Sequence, residues 1–255
     1  MSRRLIAFLV VALLAAIGCI RLGFWQLSRL SQRRARNALV SARFSQPMVP
    51  LTSLRPESTS MLRRASVTGT PDFGHEVVLA ARTYQGSPGV DLFTPVRVPG
   101  NDTAVLVNRG WIYAPDGMSV DLRGWRESTT DFVGYAELLP PGVPTRPDGV
   151  LRRDARVARE LDQVTVESLL PYPVSRLYLV ATQQDTTKPV GQRVARLPPP
   201  ALDEGPHLSY AIQWFAFATI AIVGGITVAV RGMRDAGSGP RNAGGGPRDA
   251  LAPRI

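Results

Sequence analysis

A long uncharged stretch near the C-terminal end limits the folds open to this chain. From Tyr210 to Val230 the sequence reads YAIQWFAFATIAIVGGITVAV, without a charged residue. As a helix this stretch would be about 31 Å long, which is enough to cross the hydrocarbon core of a bilayer. A soluble helix of this length usually has a polar face, and this one lacks it. With Arg231 and Arg234 following directly, the stretch predicts a transmembrane helix over residues 208–230.

A second apolar stretch lies at the N-terminal end, over residues 5–27, after Arg3 and Arg4. A secretory signal peptide is an alternative, but apolar residues resume after Arg21. Small residues recur at helical spacing in both stretches, which would let two helices approach closely in lipid. The other interpretation is that Ala and Gly are simply frequent in such helices. We predict a retained span that pairs with the C-terminal one. The small residues are Ala12, Ala16, Cys19 and Gly23 in the first stretch and Ala218, Ala221, Gly225 and Ala229 in the second.

The charge of the chain is concentrated at its two ends. The net charge is +10, of which residues 1–36 carry +7 and residues 231–255 carry +3. Because these basic segments flank apolar stretches, they indicate contact with membrane lipids rather than with nucleic acid. They favour a bacterial cell membrane protein with two spans, both termini cytoplasmic and the central region outside. Residues 232–255 contain little apolar bulk and predict a disordered cytoplasmic tail.

The segment between the spans, residues 40–205, predicts an extracytoplasmic domain made mainly of β-strands. Short, partly alternating runs rich in β-branched residues are separated by Gly, Pro and Asn turn signals. One short helix is predicted over residues 162–170, beginning at Asp162. The pattern favours a small antiparallel barrel or sandwich carried by two transmembrane α-helices. The strand-like runs are residues 62–70, 76–82, 91–98, 103–113, 130–138 and 176–182.

Catalytic and metal-binding patterns are scarce in this sequence. It contains two histidines and one cysteine, so it has no disulfide framework and no pair of thiolates for a metal. The familiar nucleophile, phosphate-binding and zinc-protease motifs do not occur. His75 follows Phe73 and Gly74 in a turn and is interpreted as an ordinary loop residue. An anchored hydrolase with a site assembled from distant residues is an alternative, but the sequence favours a protein that is not an enzyme.

Polar and aromatic side chains gather where the C-terminal span begins. His207, Tyr210 and Trp214 have the spacing of one helix face. Gln213 lies inside the apolar run, where a polar side chain needs a partner. The aromatic residues could be interfacial anchors and His207 a solvated residue. Taken together with Gln213, the group favours a binding site.

Three motifs are more specific than composition explains. They are GFWQLSRL at residues 23–30, LVNRGW at residues 106–111 on a predicted strand, and HLSYAIQWF at residues 207–215. In this order, with a span at each end, they resemble the SURF1 (Shy1) family over nearly the whole chain apart from the tail. The dipeptides Pro88–Gly89 and Thr94–Pro95 also fit the family pattern.

The resemblance implies a protein that assists assembly of haem–copper cytochrome c oxidase while haem a enters the core subunit. The family's candidate haem a ligand matches His207, and neutral imidazole is a good axial ligand for haem iron. The Asn that commonly precedes this histidine is replaced here by Pro206. The alternative is a membrane-embedded structural or interaction partner of the oxidase that binds no haem. Besides His207, the expected cofactor-binding residues are Tyr210, Gln213, Trp214, Trp25 and Gln26.

The remaining motif residues are expected to be structural or to bind a partner. A glycine inside a strand often marks a bulge or a close backbone approach. Gly110 would therefore hold Arg109 and Trp111 in fixed positions, next to Asn108. Arg109 or Arg29 could meet a haem propionate, since arginine pairs well with carboxylates.

Overall fold

The computed structural model describes residues 2–142, 150–152 and 155–237. The chain divides into two compact units. The first unit contains Met1–Arg36 together with Asp203–Ile255, and the second contains Asn37–Leu202. The helices are α1 (Arg3–Phe44), α2 (Gln163–Leu169) and α3 (His207–Gly237).

Two long helices, α1 and α3, contain the stretches that the sequence predicts as spans. Both are long and apolar enough to cross a bilayer. Many of their large apolar side chains are exposed, as lipid-facing side chains would be; Val11, Leu14 and Ile220 are each more than 60% exposed. The chain therefore has two helices suited to association with a membrane. Helix α3 continues to Gly237, and the rest of the predicted tail over residues 232–255 lies outside the described residues.

Small residues line the contact between α1 and α3. A Cβ atom added to Gly23 would lie only 2.6 Å from the ring of Phe215, and one added to Gly225 would lie 3.7 Å from Cβ of Ala12. Contacts advance along α1 as they retreat along α3, so the two helices are antiparallel. Their predicted pairing is confirmed, because small residues permit close approach of two backbones. The buried small residues are Ala16, Gly23, Ala211, Ala218 and Gly225.

The second unit is built on a ten-stranded sheet with the order β1-β2-β7-β10-β6-β5-β4-β9-β8, in which β3 pairs with β5. Each predicted strand run overlaps a strand of this sheet. The strands are β1 (Val49–Pro50), β2 (Arg64–Thr68), β3 (Thr70–Pro71), β4 (Val77–Tyr84), β5 (Ser87–Arg97), β6 (Val105–Tyr113), β7 (Asp131–Leu138), β8 (Val150–Arg152), β9 (Val157–Ala158) and β10 (Leu177–Ala181).

The sheet is mixed, whereas the sequence predicted an antiparallel one. Strands β1 and β2, β4 and β9, and β6 and β10 pair in parallel, and the other pairs are antiparallel. A parallel pair needs a crossover connection. The one between β6 and β10 passes through β7 and α2. The alternation of apolar and polar residues within a single strand does not indicate such a connection. Closure into a barrel or packing as a sandwich stays a prediction.

The short helix α2 covers one of the hydrophobic clusters of the second unit. The Asp162 side chain caps it by accepting a hydrogen bond of 2.8 Å from the Thr165 amide. Val166 and Leu169 are buried in a cluster with residues of β4, β5 and β6. The predicted helix and its start at Asp162 are therefore confirmed.

Candidate functional site

His207 is the first residue of α3 and is half-buried beside α1. Its Nδ1 atom lies 2.8 Å from Oε1 of Gln26. Because an amide oxygen only accepts hydrogen bonds, we assign the imidazole proton to Nδ1. In this tautomer the lone pair lies on Nε2. A histidine whose second nitrogen is held by a neighbouring acceptor is the usual arrangement of a metal ligand.

The backbone just before α3 leaves room at the Nε2 edge of this ring. Gly205 has a positive φ of 67°, and a Cβ atom added there would lie 3.6 Å from Nε2 of His207. Pro206 directly precedes His207, and its ring has no group that can orient an imidazole. In this chain Gln26, from the other helix, supplies the hydrogen bond that orients the ring.

Two ion pairs hold the segment that leads into His207 against α1. Nη2 of Arg33 lies 3.3 Å from Oδ1 of Asp203. Arg34 donates two hydrogen bonds, of 2.8 and 2.9 Å, to the two carboxylate oxygens of Glu204. These bonds lower the pKa of Glu204. Exposed ion pairs contribute little stability, so their main effect is to fix the approach to His207.

Helix α1 also carries an exposed ring next to Gln26. The Trp25 side chain is 51% exposed. The guanidinium carbon of Arg29, one helical turn further on, lies 5.5 Å from the centroid of the Trp25 ring. An arginine at this distance from an indole is within cation–π range. The structure therefore brings Trp25 and Arg29 together on a surface open to a ligand.

The other predicted cofactor-binding residues of α3 do not all meet His207. Tyr210 and Gln213 are exposed, and Gln213 makes no hydrogen bond within the part of the chain that the structure describes. Trp214 is half-buried and packs edge-on against Phe217, with ring centroids 6.0 Å apart. The direct contact of the predicted site is thus His207 with Gln26, and the remaining side chains stay available.

Arg109, in the second unit, is buried completely. Its Nε donates to Oγ1 of Thr94 at 2.7 Å and its Nη1 to the carbonyl of Trp125 at 2.6 Å, while Nη2 donates to Oε1 of Glu76. Burial raises the pKa of Glu76, although Arg109 opposes this shift by favouring the charged carboxylate. The expectation that Arg109 meets a haem propionate is therefore wrong, because its guanidinium is enclosed and already paired.

A β-bulge in β6 directs Arg109 inwards. Leu92 pairs with Gly110 and the next residue, Phe93, pairs with Asn108, so Arg109 is the extra residue on this strand. The Asn108 side chain closes the bulge by accepting a hydrogen bond of 2.8 Å from the Gly110 amide. The bulge predicted from a glycine inside a strand is confirmed.

Gly110 also permits a close backbone approach. Its φ is +119°, and a Cβ atom there would lie 2.2 Å from the carbonyl oxygen of Ala195. The next residue, Trp111, exchanges two backbone hydrogen bonds of 2.8 and 2.9 Å with Ala195. Gly89 leaves space for the Trp111 ring, since a Cβ atom at Gly89 would overlap it. Trp111 is therefore fixed by both of its neighbours, as the sequence predicted.

Sequence reasoning missed the partners of Arg109. Glu76 and Thr94 bond to its guanidinium from two other elements. Glu127 lies 3.8 Å from Arg109 and 2.8 Å from Arg196. These acids are far apart in the chain, so no spacing pattern relates them. Only Thr94 stood out in the sequence, as part of the Thr94–Pro95 dipeptide. Its hydrogen bond to Arg109 could not be predicted from that dipeptide.

His75 is held more firmly than an ordinary loop residue. Its Nδ1 lies 2.8 Å from Oδ2 of Asp72, which also accepts a hydrogen bond of 2.8 Å from the Tyr172 hydroxyl. Burial raises the pKa of Asp72, but these hydrogen bonds and the charge of His75 outweigh it and lower the pKa overall. Within the described residues no group of three or more His, Cys, Asp and Glu side chains could hold a metal ion.

Comparison with known proteins gives a consistent answer. The model of the SURF1 family matches residues 13–219. An uncharacterised SURF1-like protein of Mycobacterium tuberculosis is 27% identical over 208 residues, which cover 78% of this chain and 73% of that protein. A SURF1-like protein of Rickettsia felis is 23% identical over 219 residues, covering 84% and 93% of the two chains. A SURF1-like protein of Rickettsia conorii is 24% identical over 214 residues, covering 80% and 83%.

Proposed function

Because this chain belongs to the SURF1 family, we propose that it assists assembly of haem–copper cytochrome c oxidase by helping haem a to enter the core subunit. The family is generally linked to assembly of this oxidase. The observation that carries the haem proposal is the hydrogen bond of 2.8 Å between Nδ1 of His207 and Oε1 of Gln26. It orients the imidazole and leaves Nε2 free, which is what an axial ligand needs.

Residues of this chain would hold haem a by three kinds of contact. His207 would supply the axial nitrogen, with Gln26 keeping the ring in one tautomer. The exposed rings of Trp25 and Tyr210 would cover the apolar macrocycle. Arg29 is exposed and would pair with a propionate. When bound, the haem supplies an iron that accepts an imidazole ligand, and the chain supplies binding and orientation.

Weak, reversible binding suits a protein that passes a cofactor on. Gln26 and His207 come from two different helices, joined by small-residue packing. A single axial ligand on a partly exposed surface would hold haem less firmly than an enclosed pocket with two ligands. The expected partner is the core subunit of the oxidase, reached within the bilayer. In the proposed orientation both termini are cytoplasmic and the second unit lies outside.

The proposal is tested by replacing His207 with alanine in a strain that produces the oxidase. His75→Ala is the matched control, because His75 is the only other histidine. The measurements are the haem a content of the purified oxidase, from its reduced-minus-oxidised spectrum, and the membrane level of this protein. We expect His207→Ala to lower haem a occupancy while the protein level stays normal. Unchanged oxidase spectra would contradict a ligand role.

The exposed Gln213 supports a second candidate, a membrane-embedded partner of the oxidase that binds no haem. A polar side chain on an apolar helix finds a hydrogen-bonding partner when another helix covers it. Purification of the protein with haem a supplied separates the two functions, since only the first predicts a Soret band. The second candidate predicts no Soret band in the purified protein and loss of oxidase co-purification in Gln213→Leu.

A further inference from the structure

A polar cavity lies on one face of the sheet in the second unit. It has a volume of about 350 Å³. Cross-strand pairing places Glu137 beside Tyr178, and Asn108 beside both Val180 and Phe93, so these side chains share one face of β7, β10, β6 and β5. We call this cavity the Asp91 pocket and define it by six of its lining residues, Arg82, Asp91, Asn108, Tyr135, Glu137 and Tyr178.

The carboxylate of Asp91 is the unusual group in this pocket. Asp91 is only 8% exposed, and it accepts no hydrogen bond and forms no ion pair within residues 2–142, 150–152 and 155–237. Burial raises the pKa of Asp91 to about 6, and Arg82 only partly opposes the shift. Buried charges in proteins are normally paired. A nearly buried carboxylate that lines a cavity and forms no ion pair within the described residues therefore indicates a place where a cation can bind.

Arg82 also lines the pocket, but it does not form an ion pair with Asp91. Nη2 of Arg82 donates to the carbonyl of Arg159 at 2.9 Å. Glu137 adds a second acid to the pocket, and burial raises the pKa of its carboxyl group too. Two carboxylates thus face one arginine that is held by a backbone carbonyl. The pocket has room for one more positive charge.

The walls of the pocket favour an organic cation. Phe93 and Tyr178 pack edge-to-face with ring centroids 5.6 Å apart, and both line the cavity, as does Tyr135. Aromatic faces attract guanidinium groups, and the planar guanidinium also matches carboxylate geometry. A metal ion fits less well, because the described residues contain no group of three or more metal-ligating side chains. The volume lies at the small end of the range for ligand sites.

We propose that the Asp91 pocket binds the guanidinium group of an arginine side chain presented by a partner polypeptide. Asp91 and Glu137 would accept its hydrogen bonds and the rings of Tyr135 and Tyr178 would pack on its plane. This site shares no residue with the His207 pair, so it goes beyond the proposed function and stands or falls separately.

The test is calorimetric titration of the full chain in lipid nanodiscs at pH 7.5. N-acetyl-arginine amide represents an arginine within a polypeptide, and N-acetyl-citrulline amide is its neutral isostere. Agmatine represents a free small guanidine. We expect the arginine amide to bind and the citrulline amide not to bind. Binding of agmatine alone, or of Mg²⁺ in place of the guanidinium compounds, would overturn the proposal, as would no binding of the arginine amide.

Variants assign the binding to the pocket. Asp91→Asn should weaken the arginine amide by about 30-fold or more, since truncating one partner of a buried charge pair is costly. Glu137→Gln should weaken it less, because Glu137 is more exposed. Asp102→Asn, at an exposed position between β5 and β6, is the matched control and should bind as the parent chain does. Equal affinity in Asp91→Asn and Asp102→Asn would overturn the proposal, and thermal unfolding of each variant verifies that it is folded.

Discussion

The motif around Arg109 and the motif around His207 differ in burial and in hydrogen bonding. Arg109 is fully buried, and three neighbours accept hydrogen bonds from its guanidinium. His207 is partly exposed, and Gln26 bonds only one of its two ring nitrogens. A motif with all its bonds made within the chain supports the fold, and a motif with a free donor or acceptor can serve a ligand. Asp91 is buried, as Arg109 is. Like His207, it has hydrogen-bonding capacity that no described residue satisfies.

The comparison predicts its largest effect at Arg109. Arg109→Met should destabilise the second unit by about 3 to 5 kcal/mol, because it leaves Glu76 buried without its charge partner. The measurement is denaturant unfolding of the purified chain in detergent. The control is Arg123→Met, at an exposed position in the same unit. If both variants unfold at the same denaturant concentration, Arg109 does not stabilise the second unit through Glu76.

Replacing Asp91 should raise the free energy of unfolding, whereas replacing Arg109 should lower it. Burial raises its pKa from the ordinary 3.8 to about 6. The unfolded chain therefore loses this proton at lower pH than the folded chain, and the folded state loses stability as pH rises from about 4 to 6. Asp91→Asn removes that loss, so the variant should be more stable than the parent at pH 7.5 by up to about 3 kcal/mol.

The pH dependence of this gain is its own control. The difference between Asp91→Asn and the parent should be much smaller near pH 4, where the folded carboxyl group is protonated and the unfolded one is about half protonated. Unfolding curves at pH 4 and pH 7.5 measure it. A gain that is equal at both pH values would have another origin than the charge of Asp91.

Gly110 tests whether the bulge itself is required. Gly110→Ala should cost about 2 kcal/mol, because a positive φ strains any side chain and the new Cβ would overlap the Ala195 carbonyl. Gly86→Ala is a partial control, since Gly86 also has a positive φ but open space around it. A smaller loss at Gly86 separates the steric overlap from the backbone strain. Equal losses would show that overlap with Ala195 contributes nothing.

The smallest effect on stability is expected at His207. Its replacement by alanine removes one hydrogen bond at a partly exposed position, so the expected change is below about 1 kcal/mol. The same unfolding measurement used for Arg109 checks it. If His207→Ala lowers the free energy of unfolding as much as Arg109→Met does, His207 is a structural residue and the contrast between the two motifs disappears.

Local patterns predicted much of the fold and part of the site. The strand runs, α2 with its Asp162 cap and the bulge at Gly110 follow from alternation, capping chemistry and glycine conformation within a few residues. The pairing of the small-residue stripes also followed from spacing alone. Parallel pairing in the sheet could not be predicted, because it depends on crossover connections. The residues of a strand do not indicate which connection leads to it.

The sequence by itself determined two apolar helices, the strand positions and three motifs, because each depends on residues near one another along the chain. Only the tertiary structure decided what those motifs touch. Gln26 and His207 are 181 positions apart, and Glu76 and Arg109 are 33 apart. Whether a polar group ends up paired, as Arg109 is, or without a partner among the described residues, as Asp91 is, depends on which distant groups packing brings to it. Long-range packing sets those neighbours, and local periodicity contains no information about them.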